Sequence, residues 1–205
     1  MSAINRPIIM RTGKRGSEIM LAKVHRELER MNQARERAYH IQREIVPLCA
    51  QSIRDIQKDK YKLAEKNLKR IKRLIKKCES LLKNYPDLLY NILGSGYQEY
   101  AELSIFLSYV KRRKLPRMDI PAKFYLLGLG DAIGELKRVG MELLSKHRIK
   151  EAEKLRGELE DLFYELSRKT YPNSVVPGLK PKQDAMRRVL NDFNNAILSY
   201  RSTRA

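Results

Sequence analysis

Tryptophan is absent from the 205 residues, and cysteine is nearly so, with Cys49 and Cys78 alone. One disulfide at most is too little to staple a secreted scaffold. Both cysteines fall in phase with apolar helix positions, so two buried thiols are expected. Ten glycines and eight prolines are too few for a loop-rich or all-β chain. No Asn-Gly or Asp-Gly hairpin turn occurs, and no sustained period-two alternation. No phosphate-binding GxxxxGK[ST] loop and no GxSxG nucleophile elbow is found. His25, His40 and His147 lack metal-ligand spacing, and no Cys–His pair suggests a thiol nucleophile. Long apolar runs are missing too. The stretch from Phe124 to Gly134 is too short to span a bilayer and contains Asp131. Residues 1–16 are basic and hold no apolar signal core. A soluble, cytoplasmic protein with no membrane partner is expected.

Acidic charge is scarce: 24 Asp and Glu stand against 43 Lys and Arg, a formal net charge of +19. Such a surplus attracts polyanions, nucleic acid first and an anionic membrane surface second. The basic residues cluster in two places. Lys66, Lys69, Arg70, Lys72, Arg73, Lys76 and Lys77 form one group. Lys111, Arg112, Arg113, Lys114 and Arg117 form the other. Each phosphate neutralised releases counterions, so these faces predict salt-dependent, sequence-independent affinity. The alternative is a solvated face that keeps the protein soluble.

Helical spacing runs almost from end to end. Val24, Leu28, Met31, Ala34, Ala38, Ile41, Ile45 and Leu48 follow in steps of three and four, one face of a long first helix. Pro47 predicts a kink or break there. Tyr61, Ala64, Leu68, Ile71, Ile75, Cys78 and Leu82 form a second series, ended by Tyr85-Pro86. Further helices are expected over about 87–113, 121–145, 149–169 and 182–200, with a Pro/Gly loop over 171–181. The expected fold is all-α, a bundle of six or seven helices with a long N-terminal helix. Residues 1–16 are expected to be disordered and 17–205 to form a single domain.

Four carboxylates stand in apolar surroundings. Asp131 is the lone charge from Phe124 to Gly134, and Glu135 follows at i+4 on the same helix face. Glu99 and Glu102, at i and i+3, lie in the otherwise uncharged segment Tyr97–Phe106. Ionised carboxylates among apolar neighbours are costly unless something pairs with them. A hard cation takes oxygen ligands and activates water for phosphodiester cleavage, so the two pairs are candidate Mg²⁺ or Mn²⁺ ligands. The other reading is solvation, or ion pairing to Lys or Arg of a neighbouring helix.

The same residues carry a resemblance. Tyr125, Leu126, Leu127, Gly128, Asp131, Gly134, Glu135, Leu136 and Arg138 resemble the Tyr-Leu-Leu-Gly-x-x-Asp-x-x-Gly-Glu-Leu-x-Arg motif of the translin superfamily. Gln98-Glu99-Tyr100-Ala101-Glu102 is similar to the Gln-Glu-Tyr-x-Glu of its translin-associated factor X (Trax) branch. The chain lacks the long insertion of animal Trax proteins, so it looks like a compact prokaryotic or archaeal form. The resemblance implies an all-α fold assembled into a closed oligomer, typically an octamer, that encloses nucleic acid. A homo-oligomer is then the simpler assembly. It implies cleavage of single-stranded RNA with a divalent metal held by Glu99, Glu102, Asp131 and Glu135. Arg138 and the two basic groups would contact the nucleic acid. The alternative is a translin-like protein that binds single-stranded DNA or RNA without cutting it.

Overall fold

The computed structural model describes residues 14–203, with side chains from residue 16 onward. Among the described residues there are six α-helices and no strand: α1 (Lys14–Gln57), α2 (Tyr61–Leu81), α3 (Pro86–Arg112), α4 (Ala122–Ser145), α5 (Ile149–Ser167) and α6 (Leu179–Ser202). The expectation of disorder for 1–16 falls mostly on residues 1–13, which lie outside the described residues.

The helix ends follow local chemistry. Pro86 opens α3, where its missing N–H is no loss, and Asp87 adds a negative charge to the first turn. Arg113 closes α3 in the left-handed region, its N–H donating to the Tyr109 carbonyl. Gly178, at φ 82°, precedes α6 and donates its N–H to Asn173 Oδ1 at 3.1 Å.

Two sequence expectations are corrected. Pro47 lies inside α1 without breaking it. Its cost is one backbone hydrogen bond, and on this stretch α1 is clamped by α2 and α3, with Ile45 and Cys49 fully buried on either side of Pro47. The loop after α5 ends at Gly178, so Pro181 belongs to α6. It falls in the first turn, where N–H groups have no helical partner anyway.

The helices pack as two layers joined at α3 and α4. On one side α1, α2 and α3 pack mutually; on the other α4, α5 and α6 do. Ile45, Ile71, Leu93, Phe106, Ile133, Leu136, Leu155 and Phe193 are among the fully buried side chains. The apolar stripe of α1 is only partly used. Ala38, Ile41, Ile45 and Cys49 are buried, whereas residues 16–30 are all exposed, Val24 and Leu28 included. At 1.5 Å per residue α1 is about 66 Å long and α2 about 32 Å, so α1 overhangs the bundle. No helix among the described residues is long and apolar enough to cross a membrane.

Candidate functional site

Glycine brings α3 and α4 together where the carboxylates are. A Cβ on Gly128 would stand 2.6 Å from Ala101 Cβ, 2.7 Å from the Gln98 carbonyl oxygen and 2.8 Å from the Glu102 nitrogen. Only a residue without a side chain lets the two backbones approach this closely. The contact sits between Glu99 and Glu102 on one helix and Asp131 on the other. The apolar stripes on the opposite faces bury Leu103, Phe106, Ile133 and Leu136. All four carboxylates are therefore left half-buried on the inner flank of the helix pair.

Their partners divide them into two kinds. Each Asp131 oxygen has a partner: Lys182 of α6 donates to Oδ1 at 2.5 Å and Gln98 to Oδ2 at 2.8 Å. Glu135 is also held, by Gln57 of α1 at 2.6 Å and by Arg138 at 3.3 Å. Glu99 and Glu102, among the described residues, take no hydrogen bond and no ion pair. Burial raises the pKa of both, and the Asp131 charge raises it further, against the opposing charge of Lys182. Glu102 also feels Glu99 and Glu135 and is pushed up to about 8. The four groups thus act on one another electrostatically. The Cys49 thiol of α1 is raised too, by burial first and then by Glu99 and Glu102, which leaves it inert as a nucleophile.

A cavity of about 310 Å³ opens over this flank. Glu99, Glu102 and Glu135 line it together with Arg54, Gln57 and Arg138. As donors, four carboxylates with two left bare suit a hard divalent cation. The set is not ready-made: among the described residues no three His, Cys, Asp or Glu side chains stand gathered as a metal-binding group. Lys182 and Arg138 supply the positive charge instead. The ion-pairing alternative is thereby realised at Asp131 and Glu135, but not at Glu99 and Glu102.

The basic residues are all exposed: Lys66, Lys69, Arg70, Lys72, Arg73, Lys76 and Lys77 on α2, and Lys111, Arg112, Arg113, Lys114 and Arg117 at the end of α3 and beyond. A second cavity, of about 430 Å³, brings part of the two groups together. Lys69 lines it beside Lys111, Arg112 and Arg117, over a floor that includes Leu68, Leu107 and Met118. Some charges are already paired, Arg70 to Glu44, Lys111 to Glu65 and Arg113 to Glu158. Arg138 stands apart from this groove, at the carboxylate cavity.

Comparison with known proteins places the chain. No family sequence model matches it. The uncharacterized protein MJ0175 of Methanocaldococcus jannaschii is 33% identical over 180 residues, 84% of this chain and 79% of that protein. The crystal structure of C3PO from Archaeoglobus, a translin-family protein, matches with a TM-score of 0.84. Sequence identity is 25%, over 90% of this chain and 98% of that one. In fold the chain is similar to the translin superfamily. A second Archaeoglobus C3PO structure, a complex with duplex RNA, matches at a TM-score of 0.84 and 24% identity, over 90% of this chain and 98% of that one. A third structure, apo-NeC3PO, matches at 0.77 and 25%, over 88% and 96%. The all-α translin-like fold expected from sequence is the fold observed.

Lys182, Gln98 and Gln57 were not singled out by sequence reasoning. Lys182 is one of 43 basic residues and lies 51 positions from Asp131, so no spacing rule points to it. Gln98 adjoins Glu99 and carried a signal as the start of the Gln-Glu-Tyr-x-Glu segment. Gln57, at the last position of α1, carried none.

Proposed function

We propose that this chain is a compact, Trax-type endoribonuclease of the translin superfamily that cuts single-stranded RNA with Mg²⁺ or Mn²⁺ inside a closed homo-oligomer. The observation that carries the reading is the pair Glu99 and Glu102. Both are half-buried and without partners, face Asp131 across the α3–α4 contact, and are lifted in pKa by burial and by the Asp131 charge. A fold has no structural use for two such carboxylates, and a cation reverses their cost. Glu99, Glu102, Asp131 and Glu135 would hold the ion, which when bound would activate water and stabilise charge on the phosphate. Gln98 and Gln57 orient Asp131 and Glu135 through the hydrogen bonds already in place. Arg54 and Arg138 line the same cavity and suit a phosphodiester backbone. The groove with Lys69, Lys111, Arg112 and Arg117 would carry the strand further along the surface.

Assembly has its own support. Ile19, Met20, Leu21, Val24 and Leu28 are exposed on the overhanging part of α1. Met20, Leu21, Val24 and Leu28 share one face of the helix, and such an exposed apolar stripe favours a second copy over water. Family likeness favours an octamer, enclosing RNA rather than a membrane surface.

The second reading, a binder of single-stranded DNA or RNA without catalysis, draws on the pairing of Asp131 with Lys182. Labelled single-stranded and duplex RNA, incubated with the protein and either Mn²⁺ or EDTA, separate the readings. Cleavage of the single strand with Mn²⁺, lost in Asp131→Asn while binding persists, is expected. Binding that weakens steeply with salt but never leads to cleavage would leave the non-catalytic reading.

A further inference from the structure

Lys182 reaches the carboxylates by an unusual route. It sits in the first turn of α6, and its stem crosses α4 at Gly130. A Cβ there would stand 2.5 Å from Lys182 Cγ and 2.9 Å from Cδ. The glycine therefore acts as a notch through which the lysine passes. At the far end the ammonium lies 2.5 Å from Asp131 Oδ1, with the lysine side chain 23% exposed and that of Asp131 27%. Its charge also opposes the mutual repulsion of Glu99 and Glu102. The positive charge that this acidic cluster needs is thus supplied from inside the chain, on a flexible four-carbon stem able to swing out to water.

We propose that Lys182 is a tethered counter-cation. It holds Asp131 while no ion is bound, and must leave Asp131 for a divalent cation to enter, so it sets the affinity of the site. The inference rests on the metal reading above and adds to it a positioning residue from α6.

Binding of Mn²⁺ alone, without RNA, tests it. Calorimetric titration or the electron paramagnetic resonance signal of free Mn²⁺ gives the affinity of the full chain, with Asp131→Asn as the control for adventitious sites. Lys182→Gln should bind Mn²⁺ about tenfold more tightly than wild type, since a competing ion pair is gone. The melting temperature of Lys182→Gln should also rise more on Mn²⁺ addition than that of wild type. Two further variants guard against a folding defect. Lys182→Arg keeps the charge and adds a bidentate fork, so it should bind Mn²⁺ more weakly than wild type. Gly130→Ala crowds the lysine stem out of its notch and should act in the direction of Lys182→Gln. Equal or weaker Mn²⁺ binding by Lys182→Gln, with wild-type binding that depends on Asp131, overturns the counter-cation alone. No Asp131-dependent binding in either protein overturns the metal reading and the counter-cation with it.

Discussion

Two glycines on α4, six positions apart, should respond to the same substitution with opposite signs. Gly128→Ala places a methyl group 2.6–2.8 Å from Ala101 Cβ, the Gln98 carbonyl oxygen and the Glu102 nitrogen. Carbon contacts settle at about 3.5–4.0 Å, so α4 must retreat by roughly 1 Å. Two of the three atoms are backbone of α3 and cannot rotate aside. Overpacking of this kind costs about 1–3 kcal/mol, against which alanine recovers about 1 kcal/mol of helix propensity. With backbone on two sides the upper part of that range applies, so a net loss of about 1–2 kcal/mol should lower the melting temperature by about 2–8 °C in a domain of this size. Gly134→Ala has no atom within 4 Å of the added carbon. Only the propensity gain remains, about 1 kcal/mol or a rise of about 2–4 °C. The melts are compared at one protein concentration, since assembly also shifts them. Gly128→Ala should in addition weaken RNA cleavage, because it parts Glu99 and Glu102 from Asp131. A Gly128→Ala protein as stable as wild type would refute the close contact of α3 and α4. A destabilised Gly134→Ala would show that the space beside it is filled.

Two further outcomes are expected. Glu102 titrates higher in the folded chain than its ordinary 4.5, at about 8. The folded state then holds a proton that the unfolded state releases, so metal-free stability falls as pH rises from about 4.5 to about 8. The full shift corresponds to at most about 5 kcal/mol, and solvent at the cavity mouth reduces this to roughly 2. Glu102→Gln should therefore melt higher than wild type at pH 8 without metal and about equally at pH 5; a lower melt at pH 8 would contradict the shift. Light scattering should give a mass several times 24.0 kDa, and the double variant Leu21→Glu, Leu28→Glu should reduce it. An unchanged mass would remove α1 from the interface.

Much of the fold is legible in the sequence because helical periodicity is a local property. The second apolar series places Ala64, Ile71, Ile75, Cys78 and Leu82 inside, and all are buried. Pro86 opens α3 and Pro121 stands one residue before α4, whereas α2 ends at Leu81, short of the expected Tyr85. Of the kink or break that Pro47 predicts, the break does not occur, because the cost of one proline in a 44-residue helix is met by packing on both sides, which no local rule includes. Val24 and Leu28 mislead in another way. Periodicity shows that a face is apolar, and not what covers it; here nothing among the described residues does. At the site, spacing alone selected Glu99, Glu102, Asp131 and Glu135, because isolated charge in an apolar run is visible in one dimension. Lys182 and Gln57 are long-range partners and became visible only when α6 and α1 were folded against α3 and α4.

α4 is the element on which these arguments meet. Gly128 admits the backbone of α3, Gly130 admits the stem of Lys182, and Gly140 admits the ring of Phe193, whose Cζ would lie 2.0 Å from an added Cβ. Each glycine thus serves a different neighbour, and Asp131 and Glu135 lie between the first pair and the third. The close α3–α4 contact forces four carboxylates onto one flank, and helix packing alone would gain nothing from that placement. Two of the four are offset by groups from α1, α3 and α6, and Glu99 and Glu102 are left bare. That division matters for the proposed chemistry. In that chemistry a cation entering from the cavity side would meet two unpaired carboxylates first and would displace no hydrogen bond to reach them. On the counter-cation proposal Asp131 would join only once Lys182 withdrew through the notch at Gly130. The affinity of the proposed site would then depend on the lysine and its glycine as well as on the acids.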